Sequence, residues 1–260
     1  MNGSFSGQEA PEPFAPPEPA SSPQSVRVAM PSLVPMATYA ILGFTVLIYL
    51  LQMASKAMLN GDDLPLMLGA RVTELILEGQ WWRFITPVFL HGSVTHIFFN
   101  MYALLSLGSL LERHFGHGRF VLLYFLGAFA GNVFSFLLTD GYSVGASTAV
   151  FGLVAAEVIF FYQNRKLFGS QAKQAIGNAV FIIGVNLFIG LAPGIDNWGH
   201  VGGLLGGAMF AWFAGPRWQV AGLFPNFHLQ DLRESREVLS GAGAALLIFG
   251  ALAVWGLLSG

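Results

Sequence analysis

Three polar residues stand near the starts of long apolar runs. Ser147 lies in YSVGASTAVFGL, Tyr142–Leu153, with Gly145 and Ala146 before it and Gly152 after it. His200 opens a later run and Asn100 an earlier one. Amide hydrolysis needs a nucleophile, a base to take its proton and a donor for the oxyanion. Ser147 offers the hydroxyl. His200 offers an imidazole, which titrates at about pH 6.5 when unperturbed. Asn100 carries an amide NH2 that can donate to a developing negative oxygen, and His96, four residues earlier, shares its helix face. The backbone N–H of Ser147 sits near a helix start, where it lacks an intrahelical partner and the dipole favours an anion.

Other residues of the same types read differently. Serines in membrane helices ordinarily bond their own backbone, and Ser106, Ser109 and Ser135 are assigned that role. A histidine inside a membrane segment is costly to bury, which singles out His200. His91 is expected in a loop or at the interface, His114 and His117 in a solvated basic loop, and His228 at the surface. Asp196, four residues before His200, and Asp140, seven before Ser147, are the candidates for a third member of a triad. Both fall in loops at the water boundary and are left out of the site. Glu157 lies too deep to reach Ser147; like Asn132 and Asn186, it is expected to bond a neighbouring helix. Phe151, one turn below Ser147, either lines the site beneath the histidine or packs in the core. No HExxH pattern, metal-ligand cluster or phosphate-binding GxxxxGK[ST] occurs, so no metal and no cofactor is expected.

The elements that must position these groups follow from composition. Of 260 residues, 54% are hydrophobic and 10% charged, against about 25% charged in soluble domains. Mean hydropathy is +0.62. So few charges cannot cover a water-facing surface, and the lipid bilayer is the expected solvent. The net charge of −2 argues against nucleic acid as a partner. The absence of cysteine excludes disulfides and thiol chemistry. Residues 1 to 30 are rich in Pro, Ser, Ala and Glu and read as a disordered tail. No basic start precedes an apolar core there, so the first apolar run is expected to be a retained signal anchor.

Seven runs are each long enough to cross about 30 Å of hydrocarbon as a helix: Val34–Met53, Val94–Leu111, Phe120–Leu138, Val144–Tyr162, Ala175–Ala192, Trp198–Ala214 and Gly241–Leu258. With a cytoplasmic amino terminus, Arg27, Arg113, Arg119, Arg165, Lys166, Lys173, Arg217, Arg233 and Arg236 fall inside, and Lys56, Arg71 and Arg83 outside. The positive-inside rule favours that orientation. The second, fourth and sixth runs then start on the outer side, and Asn100, Ser147 and His200 share a shallow depth open to extracytoplasmic water. The long first outer loop is expected to hold structure of its own. A short amphipathic helix is predicted within Leu64–Leu77, Trp81 and Trp82 at the interface, and Arg83 anchoring to carbonyls or headgroups. Gly199, Gly203 and Gly207 stripe the sixth run, and Gly152 and Ala156 the fourth; small residues let membrane helices nearly touch.

On these residues the chain resembles the rhomboid intramembrane serine proteases. The matching motifs are Trp82–Arg83, HGSVTHIFFN from His91 to Asn100, Glu112–Arg113, GASTAVFG from Gly145 to Gly152, and GHVGG from Gly199 to Gly203. The resemblance spans about Gln80 to Ala214 together with the first and last runs. It implies an all-α polytopic fold, a six-helix bundle plus one additional C-terminal helix. It also implies Ser147 as nucleophile and His200 as base of a Ser–His dyad, with His96 and Asn100 as oxyanion partners. Substrates are then transmembrane proteins with easily unwound helices, reached laterally past the fifth helix, which Gly177, Gly184 and Gly190 loosen. The family pattern has Gly after the serine, where this chain has Thr148. The expected division is a cytoplasmic tail 1–30, a catalytic domain 34–214, a cytoplasmic linker 215–240 and an additional helix 241–260, in the cell membrane. The alternative is a non-catalytic relative that grips membrane helices; a transporter would need repeats and midplane charges not evident here.

Overall fold

The computed structural model describes Val28, residues 33–223 and residues 225–259. The expected Pro-rich tail, apart from Val28, lies outside the described residues. Each of the seven apolar runs is helical. They are α1 (Met36–Met58), the span Val94–Phe115, α6 (His117–Leu138), α7 (Ser147–Gln163), α9 (Ser170–Ile189), α10 (Asn197–Ala214) and α11 (Ser235–Ser259). The second span consists of α4 (Val94–Ala103), a π-helical turn over Leu104–Gly108 and α5 (Ser109–Phe115). The short α8 (Arg165–Phe168) joins α7 to α9. The protein is therefore an all-α, multi-pass membrane protein.

Five of these helices are long and apolar enough to cross a membrane: α1, Val94–Phe115, α6, α9 and α11. The other two, α7 at 17 residues and the glycine-rich α10, carry Ser147 and His200. Both are packed at the centre with α6, so much of their surface meets protein rather than lipid. Glycines set how closely they approach. A Cβ on Gly127 of α6 would touch Gly152 of α7 at 3.4 Å, and one on Gly207 of α10 would strike the Gly152 backbone. Close backbone approach at small residues is the principal way helices associate when lipid supplies no hydrophobic drive.

The long loop after α1 folds as expected into structure of its own. It holds α2 (Leu64–Gly69), β1 (Arg71–Val72), α3 (Thr73–Leu77) and two 3-10 turns, Trp81–Phe84 and Thr86–Phe89. Asp63 caps α2 through the Leu66 N–H at 3.0 Å. Arg83 is buried and anchors to carbonyls: its Nη1 donates to Ala70 O at 2.6 Å and Nη2 to Met67 O at 2.8 Å. β1 pairs antiparallel with β2 (Tyr142–Ser143), in the register Arg71–Ser143 and Val72–Tyr142. That pairing fastens the loop to the segment leading into Ser147. At the other end of the bundle, β3 (Trp218–Ala221) and β4 (His228–Asp231) form a hairpin within the expected linker. It is held by Asn164, whose Nδ2 donates to Pro216 O at 3.0 Å and whose Oδ1 accepts from Trp218 N at 2.7 Å.

Glu112 is wholly buried and closes the start of α1 from 75 residues away in sequence. Pro35, at the N-cap of α1, provides no side-chain cap. Instead the Glu112 carboxylate accepts from Ala37 N at 2.8 Å, Thr38 N at 2.7 Å and Thr38 Oγ1 at 2.6 Å, and it contacts His117 Nδ1. A carboxylate there satisfies orphan amides and complements the helix dipole. Glu112→Gln keeps the shape but places an NH2 among donors. It is expected to destabilise the protein by about 2 kcal/mol, seen as a lower midpoint of thermal unfolding in detergent.

Candidate active site

The start of α7 is built by a loop that only glycine permits. Gly145 has φ +131°, and a Cβ there would lie 2.7 Å from both Cε1 and Nε2 of His96. The same point is 3.6 Å from Ser147 Oγ, so the His96 ring and the serine hydroxyl flank Gly145. The Gly145 N–H donates to Pro87 O at 2.9 Å, tying this loop to the second 3-10 turn. Ser147 is the first residue of α7, which leaves its N–H without an intrahelical acceptor.

His200 lies in the first turn of α10, one residue beyond Gly199. Its Nε2 is 3.0 Å from Ser147 Oγ. Its ring lies flat on Phe151, with centroids 4.2 Å apart and planes 8° from parallel. Phe151 is thus the floor under the imidazole, which decides between the two roles open to it. Among the described residues nothing bonds His200 Nδ1. Asn100 is buried, and its Nδ2 donates to His96 O at 2.9 Å on its own helix. Among the described residues no group of three or more His, Asp or Glu is arranged to hold a metal ion.

Asp196 has a different occupation from a triad acid. It caps α10 by accepting from Gly199 N at 2.9 Å, and it also accepts from Thr139 Oγ1 at 2.7 Å and from Ser135 Oγ. Burial alone would raise its pKa, but hydrogen bonds from Ser135, Ser143, Gly199 N–H and Thr139 hold the carboxyl below the usual carboxylate range. It therefore fastens α10 to α6 as an anion. Asp196→Asn is expected to lose about 1–2 kcal/mol of stability, the scale of a cap with a buried hydrogen bond, while keeping most turnover of a transmembrane substrate; urea or thermal unfolding beside a cleavage assay checks both.

Several expectations are corrected. His91 lies in a loop, one of the two places expected, but is fully buried there rather than solvated. Its N–H donates to Gln52 Oε1 at 3.0 Å, its Nε2 lies 3.4 Å from Ala146 N, and its ring stands 5.0 Å from that of His96. Burial, then the neighbouring His96, push its pKa down to about 3, so it is neutral. His91 supports the segment before Ser147, and the signal was its place in the motif with His96 and Asn100. His114 is stacked on Phe160 at 4.6 Å rather than solvated. His117 is exposed but contacts Glu112. Asn186 donates to Ile182 O in its own helix, not to a neighbour, because α9 stands largely apart. Asn132 does reach across, to Phe84 O at 3.0 Å. Glu157 makes no interhelical bond among the described residues; it lines a groove instead. Ser135, assigned to its own backbone, donates to Asp196.

Thr148 is buried against α6, where a Cβ on Gly131 would sit 2.5 Å from the Thr148 Cβ. The missing side chain at Gly131 makes room for the extra one at Thr148. Its side chain fills that space between helices.

The sequence model of the Rhomboid domain matches residues 78–217, just over half of the chain. The chain belongs to the rhomboid family. It is 39% identical over 175 residues to Rhomboid protease GluP of Bacillus subtilis, covering 66% of this chain and 34% of that protein. It is 35% identical over 155 residues to RHOMBOID-like protein 9, chloroplastic, of Arabidopsis thaliana, covering 59% and 36%. RHOMBOID-like protein 6, mitochondrial, of the same plant is 39% identical over 142 residues, covering 54% and 46%. The rhomboid chain thus spans less than half the length of these relatives. Its matched region runs from just before Trp81 to just past α10 and includes Ser147 and His200.

Proposed function

We propose that this rhomboid protein is an intramembrane serine endopeptidase that uses Ser147 and His200. The observation that carries the reading is the 3.0 Å approach of His200 Nε2 to Ser147 Oγ, between the starts of two central helices. Family membership supports proteolysis within the membrane as the general activity.

Ser147 Oγ attacks the scissile carbonyl carbon while Nε2 of His200 takes its proton. The imidazolium then protonates the leaving amine, and an ester remains on Ser147. Water, deprotonated by His200, hydrolyses that ester and regenerates the hydroxyl. The tautomer required has its proton on Nδ1 and a free Nε2, and Phe151 holds the ring plane. The developing oxyanion is met by the Ser147 N–H at the positive end of α7 and by side-chain donors of Asn100 and His96. One amide hydrogen of Asn100 bonds His96 O, and the other is free to donate.

Substrates are transmembrane proteins cut near the extracytoplasmic surface. The reading keeps the catalytic domain at 34–214, with a cytoplasmic tail, a linker and an additional C-terminal helix, in the cell membrane with the amino terminus inside. The charge distribution supports this orientation. Thr148, the one sequence feature that favours a non-catalytic relative, packs against Gly131; the fluorophosphonate labelling below separates that reading from the peptidase.

The test is a tagged single-span substrate in liposomes with the full protein, alongside labelling by a serine-directed fluorophosphonate. Cleavage and a Ser147 adduct with the wild type, and neither with Ser147→Ala, are expected. Equal cleavage by the two proteins would overturn the assignment.

A further inference from the structure

The dyad occupies one end of the bundle and leaves a large groove unexplained. A groove of about 1260 Å³ lies between α9, α7, the second span and the start of α1, where Pro35 and Tyr39 also line it. Glu157 and Phe161 of α7 form one wall, Ser106 of the π-helical turn and Leu110 of α5 a second, and Gln174 and Asn178 of α9 a third. The α9 wall is loosely held: only Ala172 and Ala179 are buried, and Gly177 and Gly184 face open space.

Glu157 is the anomaly in this groove. It is a half-buried carboxyl in a membrane-embedded helix, with no hydrogen bond or ion pair among the described residues. Glu112, the other acid within the helical spans before α11, is fully engaged. An ionisable group inside a membrane is costly to keep and points to a function.

The groove opens farther along the elements that carry the dyad, and on α7 its lining begins at Glu157. α7 bears Ser147 at its first residue and Glu157 ten residues on, about 15 Å deeper along the helix and about 80° round it. The second wall belongs to the span that carries His96 and Asn100. A substrate held at Ser147 and continuing as a helix beside α7 into this slot descends at the same rise per residue as α7. Its tenth residue beyond the cut bond comes level with Glu157. Arg113 and His114 line the groove too; the His114 ring stacks on Phe160, three residues beyond Glu157, so the acidic position lies nearer the dyad than the basic ones.

We propose that Glu157 is a specificity-determining residue that receives a Lys or Arg side chain from the substrate's transmembrane helix, about ten residues beyond the scissile bond. The register rests on the reading of Ser147 as nucleophile. A basic residue at that depth is costly in lipid, so it gains from a carboxylate partner, whereas leucine gains nothing.

Binding is measured with the full-length Ser147→Ala protein in nanodiscs, using labelled single-span peptides with Lys, Leu or Glu at that tenth position. The Lys peptide is expected to bind about tenfold more tightly than the Leu peptide, and the Glu peptide less tightly. Glu157→Gln should bring the Lys-to-Leu ratio close to one, and Glu157→Lys should favour the Glu peptide. Equal affinities for the three peptides, or an unchanged ratio in Glu157→Gln, would overturn the proposal. So would loss of the preference on adding phosphatidylethanolamine, which would assign Glu157 to a lipid amine. Charge-selective binding without cleavage of any peptide by the wild type would count against Ser147 as nucleophile and leave the Glu157 pairing standing.

Discussion

His200→Ala is expected to lower cleavage of a transmembrane substrate by about a thousandfold or more. The imidazole is the only base within bonding distance of the Ser147 hydroxyl among the described residues. Without it the hydroxyl keeps its proton during attack, and the amine has no acid to leave with. Labelling of Ser147 by a fluorophosphonate should fall as well, since that reaction needs the same proton removed. Stability should change far less. His200 is bonded through one ring nitrogen and stacked on one ring, and Asp196 still caps α10. Rates of labelling and cleavage, measured beside thermal unfolding, separate this outcome from simple misfolding. Normal cleavage by the variant would remove His200 from the chemistry.

Gly207→Val is expected to act in the opposite order, through the fold first. A Cβ at Gly207 meets the carbonyl oxygen, Cα and carbonyl carbon of Gly152. These are backbone atoms of a central helix and cannot rotate aside as a side chain would. Relief requires α7 and α10 to separate, while Gly203 one turn earlier is pressed just as closely on the Thr148 backbone. The expected loss is about 4 kcal/mol or more, at the high end for single substitutions. Separation of these helices also pulls His200 from Ser147, so any folded fraction should be inactive. Gly43→Val serves as a control, since nothing lies within 4 Å of a Cβ there. Similar unfolding midpoints for the two variants would show that the α7–α10 contact does not limit stability.

The seven helices were legible because an apolar run of spanning length leaves few alternatives in lipid. Their ends were less so. α9 begins at Ser170 rather than Ala175, and α11 at Ser235 rather than Gly241. In both cases the added turn carries charged residues, Lys173 in one and Arg236 and Glu237 in the other. These are good helix formers that hydropathy alone excludes. Ser147 and His200 were readable as polar groups at the starts of apolar runs, and the structure brings them together. The supports were not readable. Gln52 reaches the backbone of His91 across 39 residues, and Thr148 fits because Gly131 opposite it is bare. Such pairings depend on which helix faces which, and local sequence does not state that. Asn186 shows the converse: an amide in a membrane helix suggests a neighbour, yet here it turns back on its own carbonyl.

The carboxylate of Glu112 has a consequence for biogenesis. The opening turn of the first span is completed by a residue synthesised 74 to 75 positions later. Until the second span has entered the bilayer, the amides of Ala37 and Thr38 must rely on water or headgroups. The first span therefore reaches its final seating only after its successor arrives, and the two are best regarded as one insertion unit.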